Sequence, residues 1–372
     1  MRRAIFPLLL IIGLPIPALA CSLCGNLSRS VSLAQEFDDA QAIAYGRIAN
    51  PKFDPSGLGG GTTEFHVEKI IRDDGGLIKQ KAVLLSRYLP ILDAKDPPHY
   101  VMFFRRGKDK VEPYNGRQVD SLAVLDFVAA LQKQDDAAKK LALAFKHLDD
   151  KNAQVADEAF LVFARADDKV IAQHGKKLDP VTLRKLIKTP DLEPERLSLF
   201  AYLLGACGTA EDAEVLRGLL NDPAQRHFKA FEGILAGYIT MRPKEGWAYT
   251  QQLLQSDKAS FLLRYASLRT MRFFYNAKQD EVGAQVIQQL GLAIQQSDVA
   301  DIAITDLRNW QRWDHTKLIV SCYDKSTHKS QIVKNCIVRY ALACPQPEAR
   351  ALVERVRRED PGLVKYLEGE PK

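Results

Sequence analysis

Two cysteines near the amino terminus, Cys21 and Cys24, are the residues of this sequence with the clearest capacity for chemistry. A Cys-x-x-Cys pair exchanges disulfides when it opens a helix after a strand, because the helix lowers the pKa of the first thiol. Here an apolar segment precedes the pair, and Gly25 stands where haem attachment would need histidine. We interpret the pair as structural. The alternatives are a redox pair and a metal site that includes the α-amino group of Cys21.

Three further cysteines, Cys322, Cys336 and Cys344, stand close together near the carboxyl terminus. Together with His328 they could supply ligands to zinc, but their spacing matches no zinc knuckle. Cys336 and Cys344 share one face of a helix if that helix continues, and free cysteine is a well-buried residue type. We interpret them as core residues. A disulfide within this region, or from it to Cys21 or Cys24, is the other interpretation, since connectivity cannot be read from sequence.

The remaining polar patterns predict no catalytic centre. His66 stands between Glu64 and Glu68 and could bind a metal with them, but this alternation is typical of a solvated strand face, which is our interpretation. Trp310 and Trp313 have helical spacing and are interpreted as core residues, with a docking patch as the alternative. No serine-hydrolase, zinc-protease or calcium-loop motif occurs. The sequence therefore predicts no catalytic residue, metal or cofactor.

The first 20 residues have the pattern of a secretory signal peptide. Arg2 and Arg3 precede an apolar run at 5–14, and a small-x-small cleavage site follows at 18–20, so that Cys21 would begin the mature chain. The apolar run is shorter than the roughly 20 residues of a spanning helix. We expect export to the periplasm, the cell surface or the medium, with a lipid anchor at Cys21 as the open alternative.

Composition places the chain among globular proteins of more than one domain. It has 372 residues, of which 46% are hydrophobic, and a formal net charge of +6. The length suits two or more domains. Lysine and arginine are interleaved with acids, whereas nucleic-acid binding requires clustered basic residues. Six cysteines are too few for a scaffold built on disulfides.

Two periodicities divide the chain near residue 130. A short helix at 33–37 comes first, and strands follow at 40–48, 62–71, 81–86, 100–104 and near Val111 or 117–119. From residue 122 onward apolar residues recur at helical spacing, and no further strand is predicted. We predict helices at 122–131, 137–148, 153–164, 181–187, 195–205, 210–220, 228–238, 246–254, 262–274, 281–294, 302–309, 316–323, 331–341 and 347–357.

The helical part shows signs of a repeat. Asp222, Asp257 and Asp298 each follow a helix with a similar ending, at spacings of 35 and 41 residues. Such a period is typical of two-helix repeats, which stack because one pair cannot bury its apolar face alone. Residues 204–220 (LGACGTAEDAEVLRGLL) and 343–349 (ACPQPEA) resemble HEAT or armadillo units. The resemblance covers roughly residues 135–365 and implies an all-α solenoid that binds other proteins.

The first part resembles the netrin-like or TIMP-like OB-fold family. The resemblance rests on the opening cysteines and on the segments 42–48 (AIAYGRI), 63–70 (TEFHVEKI) and 100–104 (YVMFF). It implies a small five-stranded β-barrel and, in part of the family, metalloprotease inhibition through the terminal cysteine. The family opens with Cys-x-Cys and pairs these cysteines within the domain, whereas residues 25–206 contain no cysteine here.

Together these patterns predict an α+β multidomain protein. We expect a signal peptide at 1–20, a netrin/TIMP-like OB-fold domain at 21–130 and a HEAT-like helical domain at 131–372. The predicted function is an exported protein–protein interaction scaffold, since repeat arrays present extended binding surfaces. The alternatives are a metalloprotease inhibitor or metal-binding protein acting through Cys21, and an enzyme. A deep pocket lined by convergent ionisable groups would favour the enzyme.

Overall fold

The structure, a computed structural model, describes residues 31–56, 60–107, 111–222 and 230–369. Cys21, Cys24 and the predicted signal peptide lie outside the described residues. Within them the chain is α+β, with a short helix and a five-stranded antiparallel sheet followed by helices. The predicted order of secondary structure is therefore confirmed.

The strands form an open sheet in the order β3-β2-β1-β4-β5. The predicted five-stranded OB-like barrel is not confirmed, because the described sheet is open: β3 has four residues and pairs along one side with β2, while β5 lies at the opposite edge. Near β5 the sheet is instead tied to helix α1, where Arg117 Nε lies 2.8 Å from Glu36 Oε2. The bounds are α1 Leu33–Asp39, β1 Ala42–Phe53, β2 Gly61–Asp73, β3 Ala82–Leu85, β4 His99–Arg106 and β5 Val111–Gln118.

Alternating residues of the central strands enter two different cores, as the period of two in a strand requires. On β1, Ala42 and Ala44 face a small core of the sheet itself, which also contains Phe65. Ile43 and Tyr45 point the other way and join the core of the helices. That larger core is continuous from the first described helix to the last one, so the sheet and the helices are packed as one body.

Fifteen described α-helices follow the sheet, and most match the predicted segments. The two that the sequence did not predict are α5 and α16. The predicted repeat aspartates Asp222 and Asp257 stand just beyond the ends of α8 and α10. The bounds are α2 Ala123–Gln132, α3 Ala137–Phe145, α4 Ala153–Arg165, α5 Asp168–Gly175, α6 Pro180–Ile187, α7 Pro194–Cys207, α8 Ala210–Asn221, α9 Phe231–Met241, α10 Pro243–Gln255, α11 Phe261–Ala293, α12 Ala300–Asn309, α13 Thr316–Cys322, α14 Gln331–Ala343, α15 Pro347–Glu359 and α16 Pro361–Gly369.

Helix α11 has 33 residues and is broken at Lys278, whose φ of −146° and ψ of 41° are not helical. Its first half packs on α7, where the rings of Tyr202 and Phe273 meet edge to face at 4.6 Å. Around the break, α11 contacts α5, which lies about a hundred residues earlier in the chain. The helices therefore do more than stack on their sequence neighbours.

Helices α7 and α9 approach each other backbone to backbone. A β-carbon at Gly205 would lie 2.3 Å from the Cα of Gly237, and one at Gly237 would lie 2.4 Å from the carbonyl oxygen of Ala201. One turn earlier, the amide of Gly233 donates to Ser198 Oγ at 3.1 Å. Small residues thus make this contact possible, and α7 is buried on nearly all sides.

Candidate functional site

A concave site lies in a cleft between α5 and the break in α11, with a volume of about 400 Å³. We call it the α5–α11 cleft. Lys169, Gln173 and Lys176 line it from one face of α5, since residues four and seven apart lie on the same side of a helix. Lys278 lines it at the break itself. The volume falls in the range of small-molecule sites.

The cationic side chains of the cleft are unpaired. Within the described part of the chain, Lys169, Lys176 and Lys278 form no side-chain ion pair or hydrogen bond. Lys278 is half-buried, and its burial lowers the pKa of the ammonium group. Nearby Lys176 lowers the pKa of Lys278 further, while Glu281 acts in the opposite direction. Lys176 and Lys278 therefore repel each other, although the larger charge effect on Lys278 is the attraction of Glu281.

The acids and amides of the cleft complete a strongly polar lining. Asp280 and Glu281 are exposed and stand at the start of the second half of α11. No two lining side chains are joined by a hydrogen bond of the kind that links a nucleophile to a base or an acid to its partner. The arrangement can bind a polar ligand, but these described residues form no assembled catalytic pair.

A second polar cluster lies on the neighbouring strands β1, β2 and β4. Arg47 lies directly opposite both His66 and His99 on the neighbouring strands. Arg47 Nε donates to His99 Nε2 at 2.8 Å and lies 3.1 Å from Glu68 Oε1. His66 instead contacts Glu64 at 2.9 Å, and this hydrogen bond lowers the pKa of Glu64.

The structure thus separates the residues of the hypothetical metal triad. His66 stays beside Glu64, whereas Glu68 contacts Arg47 and lies 3.6 Å from His99 Nε2. Among the described residues, no group of three or more histidine, cysteine or acidic side chains is arranged to hold a metal ion.

The cysteines of the helical part are free thiols in the structure. Cys322 and Cys344 are buried, and burial raises the pKa of the Cys322 thiol. Cys344 Sγ lies 3.4 Å from Thr316 Oγ1, whereas Cys336 is half-buried and lies 3.7 Å from Thr305 Oγ1. Burial also raises the pKa of the Cys207 thiol to about 11. Such thiols are poor nucleophiles at neutral pH.

The two tryptophans pack against the core. Trp310 stacks on Tyr275 with ring centroids 3.7 Å apart, and Trp313 meets Tyr340 edge to face at 5.0 Å. Both are partly buried against the hydrophobic core. Their surroundings support the core interpretation over a docking patch.

Comparisons with protein families, with curated proteins and with solved structures give no match. Function must therefore be inferred from the residues themselves. None of the helices in the described part of the chain combines the length and the apolar character that crossing a bilayer requires.

Proposed function

We propose that the protein is an exported, non-catalytic interaction protein that binds an extended acidic segment of a partner protein along strand β3. The observation that carries this proposal is the open edge of the sheet. Export is proposed from the signal-peptide pattern at 1–20. The likeness of the first part to netrin-like domains remains a proposal from sequence, as does its inhibitor alternative, which depends on Cys21.

Strand β3 has the properties of a docking edge. Within the described residues it pairs only with β2, so the backbone groups of its other side are not used by the sheet. Such groups are a template for a further strand. Leu84 on this strand is 64% exposed and stands opposite Glu64, where it offers an apolar contact to an added strand. Main-chain pairing with side-chain contacts of this kind is a common mode of peptide recognition.

The charge around β3 favours an acidic partner. Lys79, Lys81 and Arg87 flank the strand, and residues 75–92 contain no aspartate or glutamate. Lysines beside an edge strand oppose pairing with a second copy of the same edge, because like charges would meet. The same lysines would attract a strand that carries carboxylates.

The helical part supports the proposal as a rigid platform. Arginine–carboxylate pairs join helices that lie about one repeat apart in sequence, such as Arg184 with Asp212 at 2.8 Å and Arg272 with Asp306 at 2.7 Å. This regular bridging is what stacked two-helix units of the HEAT kind would require, and we propose that architecture for residues 131–372.

The enzyme alternative has one feature in its favour, since ionisable groups do converge in the α5–α11 cleft. Acid–base and nucleophilic catalysis need two groups within hydrogen-bond reach of each other. The described lining residues are not joined in this way, which favours binding over catalysis.

The experiment is cross-linking and affinity capture from the cell envelope with the exported chain. Leu84→Asp and Lys81→Glu should each reduce captured partner at least about tenfold, as the loss of one central contact does. Leu92→Asp is the matched control, because Leu92 is 98% exposed and lies outside the strand. Equal capture by all variants, or cross-links that map to the partner's basic segments, would refute the proposal.

A further inference from the structure

The α5–α11 cleft carries an inference that does not depend on the β3 edge. We propose that this cleft binds a small hydroxylated acid, a sugar acid or a sugar phosphate, with its acidic group held by Lys169, Lys176 and Lys278. Its hydroxyl groups would donate hydrogen bonds to the exposed carboxylates of Asp280 and Glu281.

The first support is the unmet charge of the lysines. Lys169 and Lys176 project from the same face of α5, and Lys278 faces them from the break in α11. None of the three forms an ion pair within the described residues. Converging ammonium groups repel one another, and an anion placed between them removes that repulsion. Lys278 is also half-buried, so its interaction with an anion is less weakened by water than that of a fully exposed lysine.

The second support is the rest of the lining. Asp280 and Glu281 supply acceptors for hydroxyl groups, and Gln173, Asn276 and Gln279 supply both donors and acceptors. A cleft built for an inorganic anion alone would gain nothing from the two carboxylates, which would repel it. A ligand that carries hydroxyl groups beside its acid uses both kinds of side chain.

The third support is size. A volume of about 400 Å³ admits one small molecule.

Calorimetric titration of the whole protein tests the proposal with defined probes. Glucuronate and glucose 6-phosphate represent the two sources of the acid, glucose is the neutral control, and inorganic phosphate is the control without hydroxylated carbon. We expect at least one of the two probes, glucuronate or glucose 6-phosphate, to bind at least tenfold more tightly than glucose and than inorganic phosphate. Whichever of the two binds identifies the acidic group.

Variants locate the site. Lys176→Met and Lys278→Met should each weaken the binding at least tenfold, while the exposed Lys317→Met should not change it. Because Lys278 lies at a helix break, thermal unfolding of each variant checks that it is folded; Lys176 is exposed and can be tested without that risk. Peptide mapping after trace acetylation should show that the bound ligand protects Lys176 and Lys278 but not Lys317.

Three results would overturn the proposal. One is the absence of binding by both sugar acids at millimolar concentration. Another is equal binding of glucose or of inorganic phosphate, which would remove the need for the combined chemistry. The last is binding that Lys176→Met does not weaken, or binding whose protection from acetylation maps to lysines elsewhere in the chain. Binding of an acidic peptide in place of both probes would count in the same way.

Discussion

Replacing Gly233 by alanine is expected to push two buried helices apart. Gly233 lies on α9 against α7, and a β-carbon there would stand 1.8 Å from the carbonyl oxygen of Ser198, whereas ordinary contact begins at 3.4 Å. The obstacle is helix backbone and not the end of a flexible side chain. The clash can therefore be relieved only if α7 and α9 separate.

The expected cost is large because the contact lies at the centre of the core. Inserting a methyl group into a packed core costs about 1–3 kcal/mol, and occasionally more. Separation would also loosen Leu199, Phe200 and Leu235, which are fully buried. The better helix propensity of alanine offsets about 1 kcal/mol of this. Taking the upper end of that range, we expect a net loss of about 2 kcal/mol and a fall in Tm of roughly 4 °C, at about 2 °C per kcal/mol for a large domain.

Gly218 provides the matched control on a neighbouring helix. It is exposed on α8, and a β-carbon there would meet no atom within 4 Å. Gly218→Ala should therefore stabilise the protein by up to about 1 kcal/mol through helix propensity alone. Both variants are compared by thermal and urea unfolding followed by circular dichroism. If Gly233→Ala melts within about 1 °C of Gly218→Ala, the close approach of α7 and α9 is refuted.

Two further predictions concern pH and the thiols. Burial raises the pKa of Glu232 from 4.5 to about 7, although Arg269 lies 2.7 Å away. The folded state then holds this proton more tightly than the unfolded state does. The free energy of unfolding should therefore fall by roughly 3 kcal/mol as pH rises from about 4.5 to about 7. In urea titrations at several pH values, Glu232→Gln should flatten this dependence. Non-reducing peptide mapping of the exported protein should find a chain that begins at Cys21 and any disulfide confined to Cys21 and Cys24, because the cysteines of the helical part are free thiols. Replacing both by serine should then cost little stability, since so short a loop constrains the unfolded chain little.

Clear results would count against each of these. A pH slope in Glu232→Gln equal to that of the unaltered protein would mean that another group titrates. Substitution of the exposed Glu354 by glutamine is the control and should keep the slope. A disulfide from Cys21 to Cys322 or Cys344 would contradict the second prediction, as would an exported chain with intact residues before 18.

The local elements could be predicted from sequence because each has its own periodicity. Residues 62–71 alternate and form most of β2, and the helical segments 262–274 and 281–294 correspond to the two halves of α11 on either side of its break. Helix α5 was missed because it has eight residues, of which only Ile171 and Ala172 are buried apolar side chains. So short a segment gives a weak helical signal.

The longer-range features could not be predicted in this way. Whether β3 and β5 meet depends on how the sheet is covered, which no local pattern records. The α5–α11 cleft unites residues about a hundred positions apart, and the break that brings them together falls in a segment without glycine or proline (YNAKQD, 275–280). In the local sequence, the cleft is indicated by the seven-residue spacing of Lys169 and Lys176. This spacing places the two lysines on one face only if a helix is first predicted at α5.

Helix α11 carries two kinds of cationic side chain, arginines that are paired with carboxylates and a lysine at the break that is not. Three arginines in its first half each contact a carboxylate at 2.6–2.7 Å. Arg269 contacts Glu232 on α9, Arg272 contacts Asp306 on α12, and Arg264 contacts Asp298 in the loop that precedes α12. Arginine suits such fixed pairs because its planar group binds carboxylates with defined geometry. At the break the cation is lysine, half-buried and unpaired within the described residues. Unlike the arginines, Lys278 has no fixed ion-pair partner among the described residues, and the proposed ligand would supply one.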